Sequence, residues 1–186
     1  MAYFLESDRL YLRDVRLSDA GGYYPYWLND REVNQYLETR FDVQTVAKTE
    51  DFIREQNSRS DVVFLAICLK ENDKHIGNIK LGPINYHHRT ADVGYMLGDK
   101  SSWGRGLMTE AIRLVLDFGF RSLDLAKISA GAYKENIGSQ RCLEKCGFTR
   151  EGILRGEVVT RQGSRSDCYR YGILRDEYME LDKIRQ

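Results

Sequence analysis

Proline is nearly missing from this chain: there are two in 186 residues, and no Gly/Ser-rich stretch or internal repeat separates one part from another. With no linker marked, residues 1–186 are expected to form a single domain. A chain of this length can bury about 70% of the surface it exposes when unfolded. Long apolar runs are also missing. The longest, Val62 to Leu69, falls far short of the ~20 residues that a membrane span needs. The opening MAYFLESDRLYLRDVR is broken by charges before an apolar segment of signal-peptide length can form. No membrane partner is therefore expected, and the cytoplasm is the expected location. Charge of one sign is lacking too, since 28 basic and 28 acidic residues leave a net charge of +0. Nothing steers such a chain toward a polyanion, so nucleic acid is not an expected partner. The four cysteines, Cys68, Cys142, Cys146 and Cys168, form no CxxC pair, which suits reduced thiols packed as small apolar groups. His87-His88-Arg89 stands on a turn without a carboxylate or cysteine cluster in the sequence around it, so no metal site is expected.

The hydrophobic pattern yields an alternation of element types. Leu10 to Asp14 reads as a first strand, and Ser18 as the N-cap of a helix that follows. Short helices then fill Asp19 to Asn57, a stretch dense in tyrosine and other aromatic residues, with a break at Asn29-Asp30. Val62–Leu69, His75–Leu81 and Ala91–Leu97 read as three strands of an antiparallel meander. In the third, Ala91, Val93, Tyr95 and Leu97 are expected on one face. A long amphipathic helix, Leu107 to Arg121, carries a core stripe of Met108, Ala111, Ile112, Val115 and Phe118. A strand at Lys127–Tyr133 precedes a helix capped by Asn136 and closed by Gly147. Strands at about Gly152–Thr160 and Arg165–Leu174 end the pattern. The order describes a mixed α/β domain with a central sheet.

The strongest chemical signal is SSWGRGLMTEA, Ser101 to Ala111, at a strand-to-helix junction. Gly104 and Gly106 let the backbone adopt positive φ and come close to a ligand. The free N–H groups of the first helical turn then face an anion, assisted by the helix dipole, and a diphosphate fits that geometry. Arg105 adds a charge. A dinucleotide-binding unit is the competing reading, and Asp124 even falls about 20 residues on, where a ribose-binding acid is expected. Thr109 replaces the third glycine of that fingerprint, and the preceding strands form a meander where a parallel unit is required.

The loop and helix WGRGLMTEA, the strand ADVGYMLGD before it and the later ENIGSQRCLEKCGF resemble the GNAT superfamily of N-acetyltransferases. Within it they are most similar to the ribosomal-protein N-terminal, spermidine and amino-sugar acetyltransferases, and SDRLYLRDVRLSDA resembles the opening of that branch. The resemblance is strong over about Lys74 to Leu174. It implies a GNAT-like domain with helices on both faces of a mostly antiparallel sheet, in which the strands at Ala91–Leu97 and Lys127–Tyr133 run parallel and splay apart around acetyl-CoA. The backbone of Tyr95, Met96 and Leu97 would then hold the pantetheine arm. The amides of Trp103, Gly104, Arg105, Gly106, Leu107 and Met108 would hold the pyrophosphate, and Asn136 and Ser139 would face the thiol end. Trp103 and Met108 depart from the family loop, which usually starts with Arg or Gln and ends with Gly or Ala.

The implied reaction is direct attack of a primary amine on the thioester in a ternary complex. A general base takes the amine proton and an acid protonates the leaving thiolate. Glu157 is the first candidate base and Asp92 the second, with Asp167 behind them. Leu143 stands where many members of the family carry the acidic tyrosine, so the acid is left to Ser139, to Tyr133 or Tyr171, or to water. Leu143 also keeps alive a non-catalytic acyl-CoA-binding module. The acceptor is a small-molecule or peptide amine: a protein N-terminus, an amino sugar or a polyamine. HIGNIKLGPIN is somewhat more similar to the sugar-modifying members. Homodimers are common in the branch.

Overall fold

Residues 4–185 are described in a computed structural model, which divides into two units. The first comprises Met1–Lys80 with Tyr95–Ala111; the second comprises Leu81–Gly94 with Ile112–Gln186. The chain passes from one to the other between Lys80 and Leu81, again within the strand that ends at Leu97, and again within the helix that starts at Leu107.

In the first unit, β1 (Leu5–Glu6), β2 (Leu10–Asp14) and β3 (Val63–Leu69) are antiparallel, with Leu5 opposite Leu12 and Leu12 opposite Ile67. β4 (His75–Leu81) follows across a turn in which the Leu69 N–H donates to the Lys74 carbonyl at 2.9 Å. β5 (Thr90–Leu97) is next in the strand order. The unbroken apolar run of β3 is buried from Phe64 onward, as a strand covered on both faces requires. Two helices, α1 (Tyr24–Asn29) and α2 (Val46–Ser58), accompany these strands. Thr45 caps α2 by accepting from the Lys48 N–H at 3.2 Å, and Thr49, Ile53 and Gln56 form its buried face. The core of the unit gathers Tyr11, Tyr24, Trp27, Ile53, Phe64 and Met96, among others.

In the second unit, β5 pairs in parallel with β6 (Lys127–Tyr133), Thr90 against Lys127 and Asp92 against Ser129. β7 (Thr149–Val159) is an outer strand, and β8 (Arg165–Leu174) lies antiparallel between it and β6. Helix α3 (Leu107–Asp117) is followed by a π-helical turn at Phe118–Ser122; α4 (Ile137–Cys146) follows β6, and α5 (Arg175–Arg185) follows β8. Ile128, Ala130 and Ala132 of β6 are buried with Ile173, Phe120 and Leu143. The architecture is the expected mixed α/β one: among the described residues, eight strands, antiparallel except for β5–β6, flanked by helices. Among the described residues, no helix is long and apolar enough to cross a membrane.

Several local expectations are corrected. Ser18 is not an N-cap. A 3-10 helix at Leu17–Gly21 is capped at Arg16, because the Asp19 carboxylate reaches back to accept from the Arg16 N–H at 2.8 Å. The alternation of β5 breaks at Gly94, so that Met96 is buried in place of Tyr95 and Leu97. The wide turn after α3 adds a residue per turn and moves the core stripe, burying Phe120 where Phe118 was expected. The pattern also missed α5, whose charged sequence hides the buried Tyr178.

Candidate functional site

The loop between β5 and α3 belongs wholly to the first unit. It starts at Gly98, which passes directly beneath an aromatic ring: a Cβ there would lie 2.0 Å from Trp27 Cδ2. The Asp99 carboxylate accepts from the hydroxyls of Ser101 at 2.8 Å and Ser102 at 2.6 Å, and Lys74 stands 3.0 Å away. Burial alone would raise the Asp99 pKa, but the two hydroxyls and Lys74 outweigh it and hold the carboxyl below its ordinary range. The Trp103 indole donates to the Leu97 carbonyl at 2.8 Å, closing the loop onto the end of β5.

Gly104 and Gly106 both adopt left-handed backbone, with φ of 72° and 77°. The Gly106 carbonyl accepts the Glu110 N–H at 3.1 Å, so the helix starts there and the amides of its first turn follow. A Cβ on Gly104 would meet nothing within 4 Å, and one on Gly106 only the Arg9 guanidinium at 3.9 Å. Two side chains are therefore missing from a place with room for them, and the exposed backbone of Trp103–Gly106 leads into a helix N-terminus. The residues present fit a diphosphate on backbone amides. Arg105 is exposed on the same loop. Leu107 and Met108 turn their side chains inward and are buried. On β5, Met96 is in the core, while Tyr95 and Leu97 are half-buried.

The acid–base candidates all belong to the second unit. Asn136 caps α4, its side-chain oxygen accepting from the Ser139 N–H at 3.1 Å, so these two residues are brought together. Asp92 on β5 is ion-paired with Arg170 of β8 at 2.6 Å. Glu157 is exposed in an irregular stretch of β7, where the register jumps between the pairs Leu154–Cys168 and Val158–Ser166. Asp167 holds that stretch by accepting from the Gly156 N–H at 3.0 Å. Tyr171 is buried, and burial raises its hydroxyl pKa, with the Glu144 charge adding to the rise. Leu143 is wholly buried in the core.

The sequence reasoning missed Ser7, Arg9 and Glu110. Glu110 is an acid in the first turn of α3 and accepts from the Ser7 hydroxyl at 2.6 Å and from Arg9 Nε at 2.8 Å. The signal was present, since a carboxylate at that position commonly answers the helix dipole and Arg9 stands in the opening motif.

Comparison with known proteins identifies the family. Residues 9–149 match the family model described as an acetyltransferase (GNAT) domain. The chain is 34% identical over 176 residues to the uncharacterized N-acetyltransferase p20 of Bacillus licheniformis, covering 94% of this chain and 97% of that protein. It is 34% identical over 104 residues to the spermidine N(1)-acetyltransferase of Vibrio cholerae, covering 56% and 59% of the two. The crystal structure of the Vibrio cholerae spermidine N-acetyltransferase in complex with CoA and spermine is similar with a TM-score of 0.83 at 25% identity, covering 93% of this chain and 99% of that one. The chain belongs to the GNAT family of acetyltransferases. It is an N-acetyltransferase, and its acetyl donor is acetyl-CoA.

Proposed function

We propose that the chain transfers the acetyl group of acetyl-CoA to a small primary amine by direct attack, and that residues 1–186 act as one acetyltransferase domain. The observation that carries this reading is the left-handed Gly104–Gly106 pair opening α3 beneath unobstructed space. In it, the amides of Trp103 to Met108 hold the pyrophosphate with Arg105 beside them, and the backbone of Tyr95, Met96 and Leu97 holds the pantetheine arm. Asn136 and Ser139 are assigned to the thiol end on the family resemblance. The small-amine class is supported by the relatives named spermidine acetyltransferases, which share the fold over nearly the whole chain.

The amine nitrogen forms a bond to the thioester carbon, the C–S bond breaks, one proton leaves the nitrogen and one reaches the thiolate. Glu157 is the proposed base. Its carboxylate is exposed and has no hydrogen-bond or ion-pair partner among the described residues, so its lone pairs are open to an incoming ammonium. Asp92 is the weaker choice, because Arg170 already occupies it. Ser139, Tyr133, Tyr171 and water remain the acid candidates. Backbone N–H groups supply the oxyanion contact, and the remaining gain comes from alignment of two bound reactants. Leu143 is buried where the family's tyrosine usually stands, so the thiolate takes its proton from one of these acid candidates.

Thermal unfolding with acetyl-CoA, CoA and NAD, followed by thiol release with polyamines, amino sugars and peptides, tests this reading. A ligand at ~100 times its Kd adds about 2.7 kcal/mol. A shift with acetyl-CoA and thiol release with an amine is the expected result. A shift without release from any of these amines overturns the small-amine acceptor, and no shift overturns the cradle.

A further inference from the structure

The turn between β1 and β2 reaches across to the cradle, within the same unit. It wraps the Glu110 carboxylate with four donors: the Ser7 hydroxyl at 2.6 Å, the Arg9 backbone N–H at 3.4 Å, Arg9 Nε at 2.8 Å, and Arg9 Nη2 in a second guanidinium contact. The remaining guanidinium nitrogen, Nη1, donates to the Arg105 carbonyl at 3.1 Å. One side chain thus holds both the first turn of α3 and the Arg105–Gly106 peptide between the two entrance glycines.

A carboxylate in the first turn suits the helix dipole. The same carboxylate opposes a diphosphate arriving at the same amides, because like charges at short range repel. Burial pushes the Glu110 pKa up, but the Ser7 bond and the Arg9 guanidinium more than offset it, so the group stays ionised at neutral pH. Its charge must be cancelled locally if the helix end is to attract an anion, and Arg9 is the cation in contact with it.

We propose that Arg9 is a positioning residue for the acetyl donor: it fixes the Arg105–Gly106 backbone and cancels the Glu110 charge, so that the first turn of α3 accepts a diphosphate. This rests on the cradle reading above. Arg9 acts through Glu110 and Arg105, and its contribution is electrostatic as well as structural.

The experiment is calorimetric titration of CoA into the full chain and four variants: Arg9→Ala, Arg9→Lys, Glu110→Gln and the double variant Arg9→Ala/Glu110→Gln. Unfolding curves establish that each is folded, and Arg9→Gln stands in for Arg9→Ala should that variant not fold. Loss of a charge-assisted clamp should weaken CoA binding by about tenfold in Arg9→Ala, with Arg9→Lys in between. The double variant should regain about threefold over Arg9→Ala, because the uncancelled carboxylate is gone. A residue that acts through packing alone gives a double variant no better than Arg9→Ala, and that result overturns the proposal. Wild-type affinity within twofold in Arg9→Ala also overturns it while leaving the cradle intact. Absence of CoA binding by the wild type overturns the cradle, and the role of Arg9 falls with it.

Discussion

The Trp103 indole N–H donates to the Leu97 carbonyl at 2.8 Å, so the first residue of the proposed cradle is tied to the last residue of the strand proposed to hold the pantetheine arm. The bond takes up the Leu97 carbonyl and leaves the pairing capacity of that strand to its neighbours. Removing a hydrogen bond of this kind costs about 1 kcal/mol, or about fivefold in Kd if the loop must be ordered to bind. Trp103→Phe, which keeps an aromatic ring and loses the indole donor, is expected to weaken CoA binding by at least that amount with little change in Tm. Trp103 and Trp27 are the two tryptophans of the chain, and Trp27 is buried. CoA should therefore change the fluorescence of a Trp27→Phe variant; an unchanged spectrum at saturating CoA would place the ligand away from Trp103.

Gly106 makes a sharper case. Its φ of 77° is strained for any residue with a Cβ, at roughly 1–2 kcal/mol, which corresponds to a fall in Tm of about 2–8 °C for Gly106→Ala. Inside the protein that Cβ would meet only the Arg9 guanidinium at 3.9 Å, so the variant should fold. Toward a ligand, the Cβ occupies the approach to the amides. CoA affinity is expected to fall more than the stability cost explains, by about tenfold or more in Gly106→Ala and further in Gly106→Val. If affinity in a folded Gly106→Val chain equals wild type, the loop does not bind the diphosphate.

The loop that opens α3 was legible in the sequence because it is local. Glycine spacing, a helix stripe and a capping asparagine act over a few residues: Gly104, Gly106 and Gly147 adopt left-handed backbone, and the Asn136 side chain caps α4. Long-range contacts left no such mark. Arg9 and Glu110 stand 101 positions apart, and only folding makes them partners. The Asp92–Arg170 pair, 78 positions apart, is of the same kind, and it changes how Asp92 is judged as a base. Helix α5 was missed because its apolar stripe is thin and its many charges resemble a solvated tail, although Tyr178 is buried. The π-turn after α3 was unreadable for another reason: the sequence stripe fits an ordinary helix as far as Val115, and the extra residue comes only in the next turn.

The two carboxylates proposed for proton transfer are separable by substitution. Glu157 has no partner among the described residues and Asp92 has Arg170 at 2.6 Å. If Glu157 takes the proton, Glu157→Gln lowers kcat by about 10²–10⁴-fold, the usual worth of general-base catalysis, with the CoA Kd unchanged. Asp92→Asn should have a smaller effect, since it mainly frees Arg170. A large loss in Asp92→Asn with full activity in Glu157→Gln would reverse the assignment.

A half-buried histidine of the first unit, His75, is expected to contribute to the acid stability. His75 donates from Nε2 to the Gly77 carbonyl at 3.0 Å and to the Asn78 side-chain oxygen at 2.9 Å, under the Trp27 ring and beside Tyr24. Burial holds its pKa below the ordinary 6.5, against the pull of Asp19, whose carboxylate lies 3.8 Å from Nδ1. Asp19 has burial working against its charge as well, yet the Arg13 guanidinium at 2.8 Å and the Arg16 N–H keep its pKa below the ordinary 3.8. Both folded-state values are thus lower than the unfolded ones, so the unfolded chain binds more protons and stability decreases as the pH is lowered. The His75 contribution is complete above its ordinary value and declines as pH drops through and below 6.5; the Asp19 contribution declines below 3.8. Tm should therefore decrease in two stages on acidification, and His75→Gln, measured against wild type at its own neutral-pH value, should abolish the first stage while keeping the second. A His75→Gln chain whose Tm still falls as steeply as wild type between pH 7 and 5 would assign the first stage to another group.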